Sequence, residues 1–298
     1  MTPRVYLSQI HDPFLNLGVE DWLFRQVLDQ QPILLLWRNM PSVIIGRAQN
    51  PWLECNVDQL KENNLAIVRR QSGGGTVYHD LGNLNISFLS PKNAYNKQQN
   101  LAIVQSALAA LGFEASISER NDILLHHQTQ TCKISGSAFR ETRTHAFHHA
   151  SLLIDTDIDQ LWRALTPTLS ATKNSKGVRS VRSPVTTLKQ VRPTITIEKM
   201  THHIIDEFRK QHQFAPPITH ITDKNCPQHA QTYAKTIRQW DWCFGKTLPF
   251  SIEWQPGVEL SIRQGRVEQI VCKYPDQQAI YQALKGLPFD KVSTNNQA

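Results

Sequence analysis

The chain has few of the residues that would staple, chelate or anchor it. Five cysteines, Cys55, Cys132, Cys226, Cys243 and Cys272, are spread over 298 residues. They are odd in number and form no CxxC pair, so neither a disulfide framework nor a zinc site is indicated and reduced thiols are expected. Long apolar runs are also missing. The best, "ILLLW", is far too short to span a bilayer, and the amino terminus lacks the unbroken apolar core of a secretory signal. These absences point to a cytoplasmic protein that does not insert in membranes. No GxGxxG opens a helix, and no complete GxxxxGK[ST] occurs. The nearest approach, Gly245-Lys246-Thr247, has Trp240 where the first glycine should stand, and it reads as a connector.

What the chain does have is basic charge and a regular alternation of patterns. A formal net charge of +7 suits acidic partners. Helical spacing at Leu15, Val19, Trp22, Leu23 and Val27, at Leu101, Val104, Leu108 and Leu111, and from Glu198 to His212 alternates with strand-like runs, predicting a mixed α/β fold. "ILLLW" and "SVIIG", separated by Arg38-Asn39-Met40-Pro41, read as a strand hairpin. "LAIVRR" leads into three glycines and "NLNISFL" leads away from them. "NDILL" and "CKISGSAF" flank a polar tip, "HHASLLI" is another strand, and "DIDQLWRAL" is helical. Ser170 to Pro193 is rich in Lys, Arg, Ser and Thr and reads as a long basic loop. A small second domain is expected from about Leu248, with strands "GVELSI" and "VEQIVC" and a helical "QQAIYQAL".

Two stretches carry chemistry. In "RRQSGGGTVYHDLGN", Arg69 to Asn83, consecutive glycines let backbone N–H groups converge on anionic oxygens, and the arginines would add charge-assisted bonds. A tight hairpin is the favoured explanation of a glycine triplet alone, and the arginines before it and HDLGN after it shift the balance. In "CKISGSAFR", Lys133 is a lysine centred in a strand, either a clamp for phosphate and carboxylate or an edge-strand charge that deters aggregation. Period-two alternation puts Lys133 on one face with Ser135 and Ser137, and Cys132 on the other with Ile134 and Gly136. His145, His148 and His149 lack a carboxylate or cysteine at metal-binding spacing, so no protein-held metal site is expected. The basic "KGVRSVRSP" is a solvated linker, a lid over an anionic intermediate, or a nucleic-acid contact. Its want of interleaved aromatics counts against nucleic acid.

In order, "RRQSGGGTVYHDLGNLNISF", "RNDILL" with "KISGSAFR", "KGVRSVRSPVTTL" and "WRNMPSVIIGRAQNPWLECN" resemble the lipoate-protein ligase A family, which is related to biotin protein ligases and octanoyltransferases. The resemblance implies an α+β fold: a central mixed β-sheet flanked by helices as the catalytic domain, residues 1–246, and a small accessory domain, residues 247–298. It implies activation of lipoate by ATP, with Mg²⁺, to lipoyl-AMP, then transfer to a lysine of apo lipoyl domains of 2-oxo acid dehydrogenase E2 subunits or of glycine cleavage H protein. A monomer is expected. By resemblance, Arg70, Ser72, Gly73, Gly74, Gly75, Thr76, Val77, Tyr78 and Asn83 belong to the nucleotide and lipoate site. Lys133 contacts the lipoate carboxylate and a phosphate, Asp122 lies near the nucleotide and helps to hold Mg²⁺, and Lys173 to Pro184 covers the adenylate. The lipoyl tunnel is expected around Val43 to Gly46 and near Val77. The carboxy-terminal domain is shorter than in fuller bacterial ligases, so a lipoyltransferase using preformed lipoyl-AMP is an alternative, as is a non-catalytic lipoyl-nucleotide binder. An octanoyltransferase would need a cysteine acyl-enzyme, and Cys132 is expected to face away.

Overall fold

The computed structural model describes residues 3–26, 32–167, 169 and 172–292. Its strands are β1 (Arg4–Ser8), β2 (Ile33–Trp37), β3 (Ser42–Ile45), β4 (Ala66–Arg69), β5 (Val77–His79), β6 (Asn83–Pro91) and β7 (Ala115–Ile117), then β8 (Ile123–His127), β9 (Gln130–Glu141), β10 (His145–Leu153), β11 (Ile218–Ile221), β12 (Phe250–Gln255), β13 (Val258–Arg263) and β14 (Arg266–Cys272). A mixed eight-stranded sheet has the order β11-β1-β2-β6-β10-β9-β8-β7. A small sheet, β4-β3-β5, and an antiparallel carboxy-terminal sheet, β12-β13-β14, complete the architecture.

The apolar runs are explained by burial on both faces. In β2, Leu34 and Leu36 join one core with the helices Lys97–Ala110 and Ile197–His212. Ile33, Leu35 and Trp37 join the opposite core with the helices Pro13–Gln26 and Gln228–Ile237. β3 is divided in the same way: Ile44 packs into that second core, while Val43 and Ile45 pack into a third core with Trp52, Phe250 and Leu260. The expected hairpin is therefore absent: β2 pairs with β1 and β6, and β3 pairs with β4 and β5. Two runs buried on both faces carry no alternation to show which neighbour each one takes, so adjacency in sequence misleads here.

The helices predicted around Leu101 and Glu198 form, and each opens on a side-chain cap. Asn96 accepts from Gln99 N at 3.0 Å and Thr196 from Lys199 N at 3.2 Å, contacts typically worth about 1 kcal/mol each. Val27, expected to extend the first helix, lies outside the described residues, as do Ser170 and Ala171 of the basic loop and residues 293–298. No described helix is long and apolar enough to cross a membrane.

Candidate functional site

The glycine loop leaves β4 and enters β5, the strand on the other side of β3. Arg69 and Arg70 point in different directions and do different work. Arg69 is buried and donates to the carbonyls of Gly46, Arg47, Gln49 and Cys243 and to Thr247 Oγ1, at 2.8–3.2 Å. Arg70 turns back into its own loop. Its Nε donates to Ser72 Oγ (2.8 Å), Nη1 to Ile44 O (3.0 Å), and Nη2 to Gly73 O and Gly75 O (2.6 and 2.7 Å). Burial lowers its pKa to about 10, leaving it charged at neutral pH. The guanidinium is thus the internal frame of the loop. Gly74 has φ +83°, a conformation that glycine adopts without penalty.

Behind the loop, Ser72 Oγ lies 2.9 Å from His149 Nε2, and His149 Nδ1 lies 2.9 Å from Glu20 Oε1, which also accepts from Ser87 Oγ. This buried chain ties the glycine loop to the central strands.

On β9, the pairing with β8 shifts register: Ile123 faces Ser135 and Leu124 faces Lys133, so Ile134 is an extra residue. Such a bulge breaks period-two alternation. It overturns the expected grouping of Lys133 with Ser135 and Ser137. The Lys133 side chain lies over Gly136, where an added Cβ would sit 3.1 Å from its Nζ, and it reaches Asp122 Oδ1 at 2.8 Å. Ser135 Oγ is buried without a hydrogen-bond partner among the described residues, and Ser137 Oγ lies 3.0 Å from His148 Nε2. His148 packs between Phe88 and Phe139, and burial pushes its pKa down to about 3.

The basic loop crosses the site as an ordered strap over residues 172–187. Lys133 N donates to Pro184 O (2.8 Å) and Thr186 N donates to Lys133 O (3.2 Å), so the strap pairs with the strand at the lysine itself. Ser180 Oγ accepts from Thr76 N (2.8 Å) and Gln49 Nε2 (3.0 Å), and Ser180 N donates to Glu54 Oε2 (3.1 Å), as does its hydroxyl. Burial raises the Glu54 pKa, opposed by these bonds from Ser180. Of the readings open for this loop, the cover over the site is the one that the contacts match.

Between strap, glycine loop and β9 lies a cleft with two lobes. The larger, about 290 Å³, is lined by Leu17, Trp37, Ile44, Val77, Asn85 and Ala138, with Arg70, Gly74, Gly75 and Asp122 also on its wall. The smaller, about 140 Å³, is lined by Leu53, Tyr78, Leu161, Trp162, Leu165 and Val185. Thr76, Val77, Lys133 and Gly136 border both, so the lobes meet at the lysine. Ser72, Gly73 and Asn83 line neither lobe: Ser72 braces Arg70, and Asn83 donates to Asn85 Oδ1 at 2.9 Å. Cys132 lines neither.

A sequence model of the lipoyl protein ligase A/B catalytic domain matches residues 12–209. The chain belongs to that family. Its fold is similar to the Plasmodium falciparum ligase LipL1 in complex with lipoate, at 28% identity over 96% of this chain and 90% of that one, with a TM-score of 0.72. It is also similar to the bi-partite lipoate protein ligase of Thermoplasma acidophilum, studied with its E2 lipoyl domain, at 23% identity over 82% and 96% of the two chains and a TM-score of 0.68. A lipoate-protein ligase A bound with ATP gives 24% identity over 81% and 96%, with a TM-score of 0.64.

The walls of the cleft in this lipoyl protein ligase domain include residues that the motifs did not single out. Trp37, Glu54, Asn85 and Arg120 lie on separate elements, and only their convergence marks them; His149, weighed in the sequence only as a metal ligand, joins them on the wall. The motif "GRAQNPWLE" did contain a signal in Glu54, a carboxylate directly after Pro51, Trp52 and Leu53, since a charged group buried with such neighbours requires a partner. Among the described residues no cluster of three His, Cys, Asp or Glu side chains could hold a metal ion. Asp122 is the carboxylate beside Lys133, with its second oxygen 3.7 Å from Arg120. A Mg²⁺ brought in with substrate phosphates needs only one or two protein carboxylates, which this residue fits.

Proposed function

We propose that the chain is an ATP-dependent, AMP-forming lipoate-protein ligase. The observation that carries this reading is the two-lobed cleft with one lysine at its junction. The larger lobe, walled by Leu17, Trp37, Ile44, Val77 and Ala138, suits an acyl chain. The smaller, with Trp162 among leucines, suits a purine ring.

In the first step a lipoate carboxylate oxygen bonds to the α-phosphorus of ATP and the bond to pyrophosphate breaks, giving lipoyl-AMP. Carboxylate and phosphate repel each other, and the Lys133 ammonium at the junction offsets the charge where they meet. Asp122 holds that ammonium in place, and with substrate bound it is the candidate ligand for Mg²⁺, which would neutralise phosphate charge. In the second step the ε-amine of an acceptor lysine bonds to the acyl carbon, loses a proton, and the acyl–phosphate bond breaks to release AMP. The strap keeps water from the mixed anhydride between the steps. Exposed Lys176, Arg179 and Arg182 on the strap and Arg120 beside it give the cleft mouth a positive rim, which favours an acidic lipoyl domain as acceptor, on an E2 subunit or an H protein.

The test is acceptor mass. Protein, ATP, Mg²⁺, lipoate and an apo lipoyl domain should give a lipoyl mass shift. A shift only with synthetic lipoyl-AMP would identify a lipoyltransferase, and none with either would leave a binder.

A further inference from the structure

The wall of the larger lobe contains a polar group with nothing to bind. Asn85 is 2% exposed, lines the lobe, and its Nδ2 has no hydrogen-bond partner among the described residues. Its Oδ1 is occupied by Asn83 Nδ2. A buried amide donor left unpaired costs about 1–3 kcal/mol, and although Ser151 stands opposite Asn85 on the same wall, no acceptor among the described residues bonds the amide.

The sheet supplies a ruler from the reacting end of the cleft to this amide. Gly136 pairs with Ser151, Ser151 with Asn85, and Asn85 with Trp37, across β9, β10, β6 and β2. All four line the larger lobe, so they form one row on its floor. Neighbouring strands are about 4.8 Å apart, which places Asn85 about 10 Å and Trp37 about 14 Å from Gly136. The Lys133 ammonium lies over Gly136. A carboxylate held at Lys133 therefore extends a pentanoyl arm along the row, and whatever ends that arm arrives at Asn85.

We propose that Asn85 is a specificity-determining residue, which selects acids by the atom at the end of this arm: its amide N–H donates to a ring sulfur and disfavours an all-carbon end of the same shape. This rests on the reading of the larger lobe as the acyl site. Sulfur is a weak acceptor, so the discrimination comes chiefly from what the rejected acid does. A hydrocarbon end expels water and leaves the amide unpaired, the circumstance in which polar pockets exclude apolar analogues.

Titration calorimetry with lipoate and 5-cyclopentylpentanoate, which keeps the shape and lacks the sulfurs, tests this without needing catalysis. Wild-type protein should bind lipoate about tenfold more tightly than the carbocycle. In Asn85→Val the preference should vanish, mainly because the carbocycle binds better. Should that variant not fold, Asn85→Ser, whose hydroxyl falls short of the ring, is read in the same way. An equal preference in wild type and variant, or none in wild type, overturns the proposal. ATP- and lipoate-dependent pyrophosphate release, measured separately, reports on the ligase reading, so the two can fail independently.

Discussion

Lys133 folds back over Gly136 to place its ammonium 2.8 Å from Asp122 Oδ1, on the boundary that both lobes of the cleft share. The side chain retains 24% of its exposure, so the ion pair adds little stability. Lys133→Ala should leave thermal unfolding within about 2 °C of wild type. ATP- and lipoate-dependent pyrophosphate release should fall by about 10²–10³. Wild-type release from a folded Lys133→Ala would remove the lysine from its assigned role.

The strap is latched through one hydroxyl, since Ser180 Oγ joins Glu54, Gln49 and the Thr76 amide. Ser180→Ala should speed hydrogen exchange in the strap peptide by about tenfold, with β9 and β10 unchanged as internal controls. Pyrophosphate released per lipoyl group transferred should rise from about one to several, as adenylate escapes to water. Unaltered exchange in the strap would show that Ser180 does not hold it.

Two buried histidines set the response to acid. Burial, then the charges of Arg70 and His149, bring His79 down to about 3, and burial, then His149 and Lys97, bring His148 to about 3. Both are neutral when folded, so their contribution is present above the unfolded value near 6.5 and is lost as pH falls from there towards 3. Each contributes a slope of about 1.4 kcal/mol per pH unit in that window. Urea unfolding of His148→Leu between pH 6 and 4 should show a slope shallower by about that amount, and an identical slope would mean His148 is protonated in the folded protein.

Loss of Arg69 should be costly without touching substrate. Arg69→Met strands four carbonyls and a threonine hydroxyl in the interior. The expected loss is about 3 kcal/mol or more, read as a lower urea midpoint. A midpoint within experimental scatter of wild type would show that water replaces the guanidinium.

The ordered motifs made the family legible because Lys133, the glycine loop and the basic strap are each compact in sequence. What the sequence concealed was relational. Nothing in "CKISGSAF" marks Ile134 as the bulged residue, since the register is set by β8. "ILLLW" and "SVIIG" look like partners because both are largely apolar, which is the consequence of burial on both faces, although they lie in separate sheets. Arg70 was legible as a charge near the loop but not as the loop's own frame, because its bonds to three carbonyls and the Ser72 hydroxyl leave no trace in composition. Asn85 sat in plain alternation within "NLNISF", where a polar residue usually means a solvated face.

Arg69 also bears on how the molecule can be cut. Its acceptors come from the exit of β3, from Cys243 and from Thr247, so a single cation ties together segments that lie far apart in sequence, Gly46 and Thr247. Phe250, Leu260 and Phe289 meanwhile share a core with Val43, Trp52 and Tyr78. A chain ended after Lys246 would lose both the last of those acceptors and more than a third of that core. The carboxy-terminal sheet therefore serves as the missing wall of the catalytic part, and recombining it between relatives means exchanging both sides of that shared core.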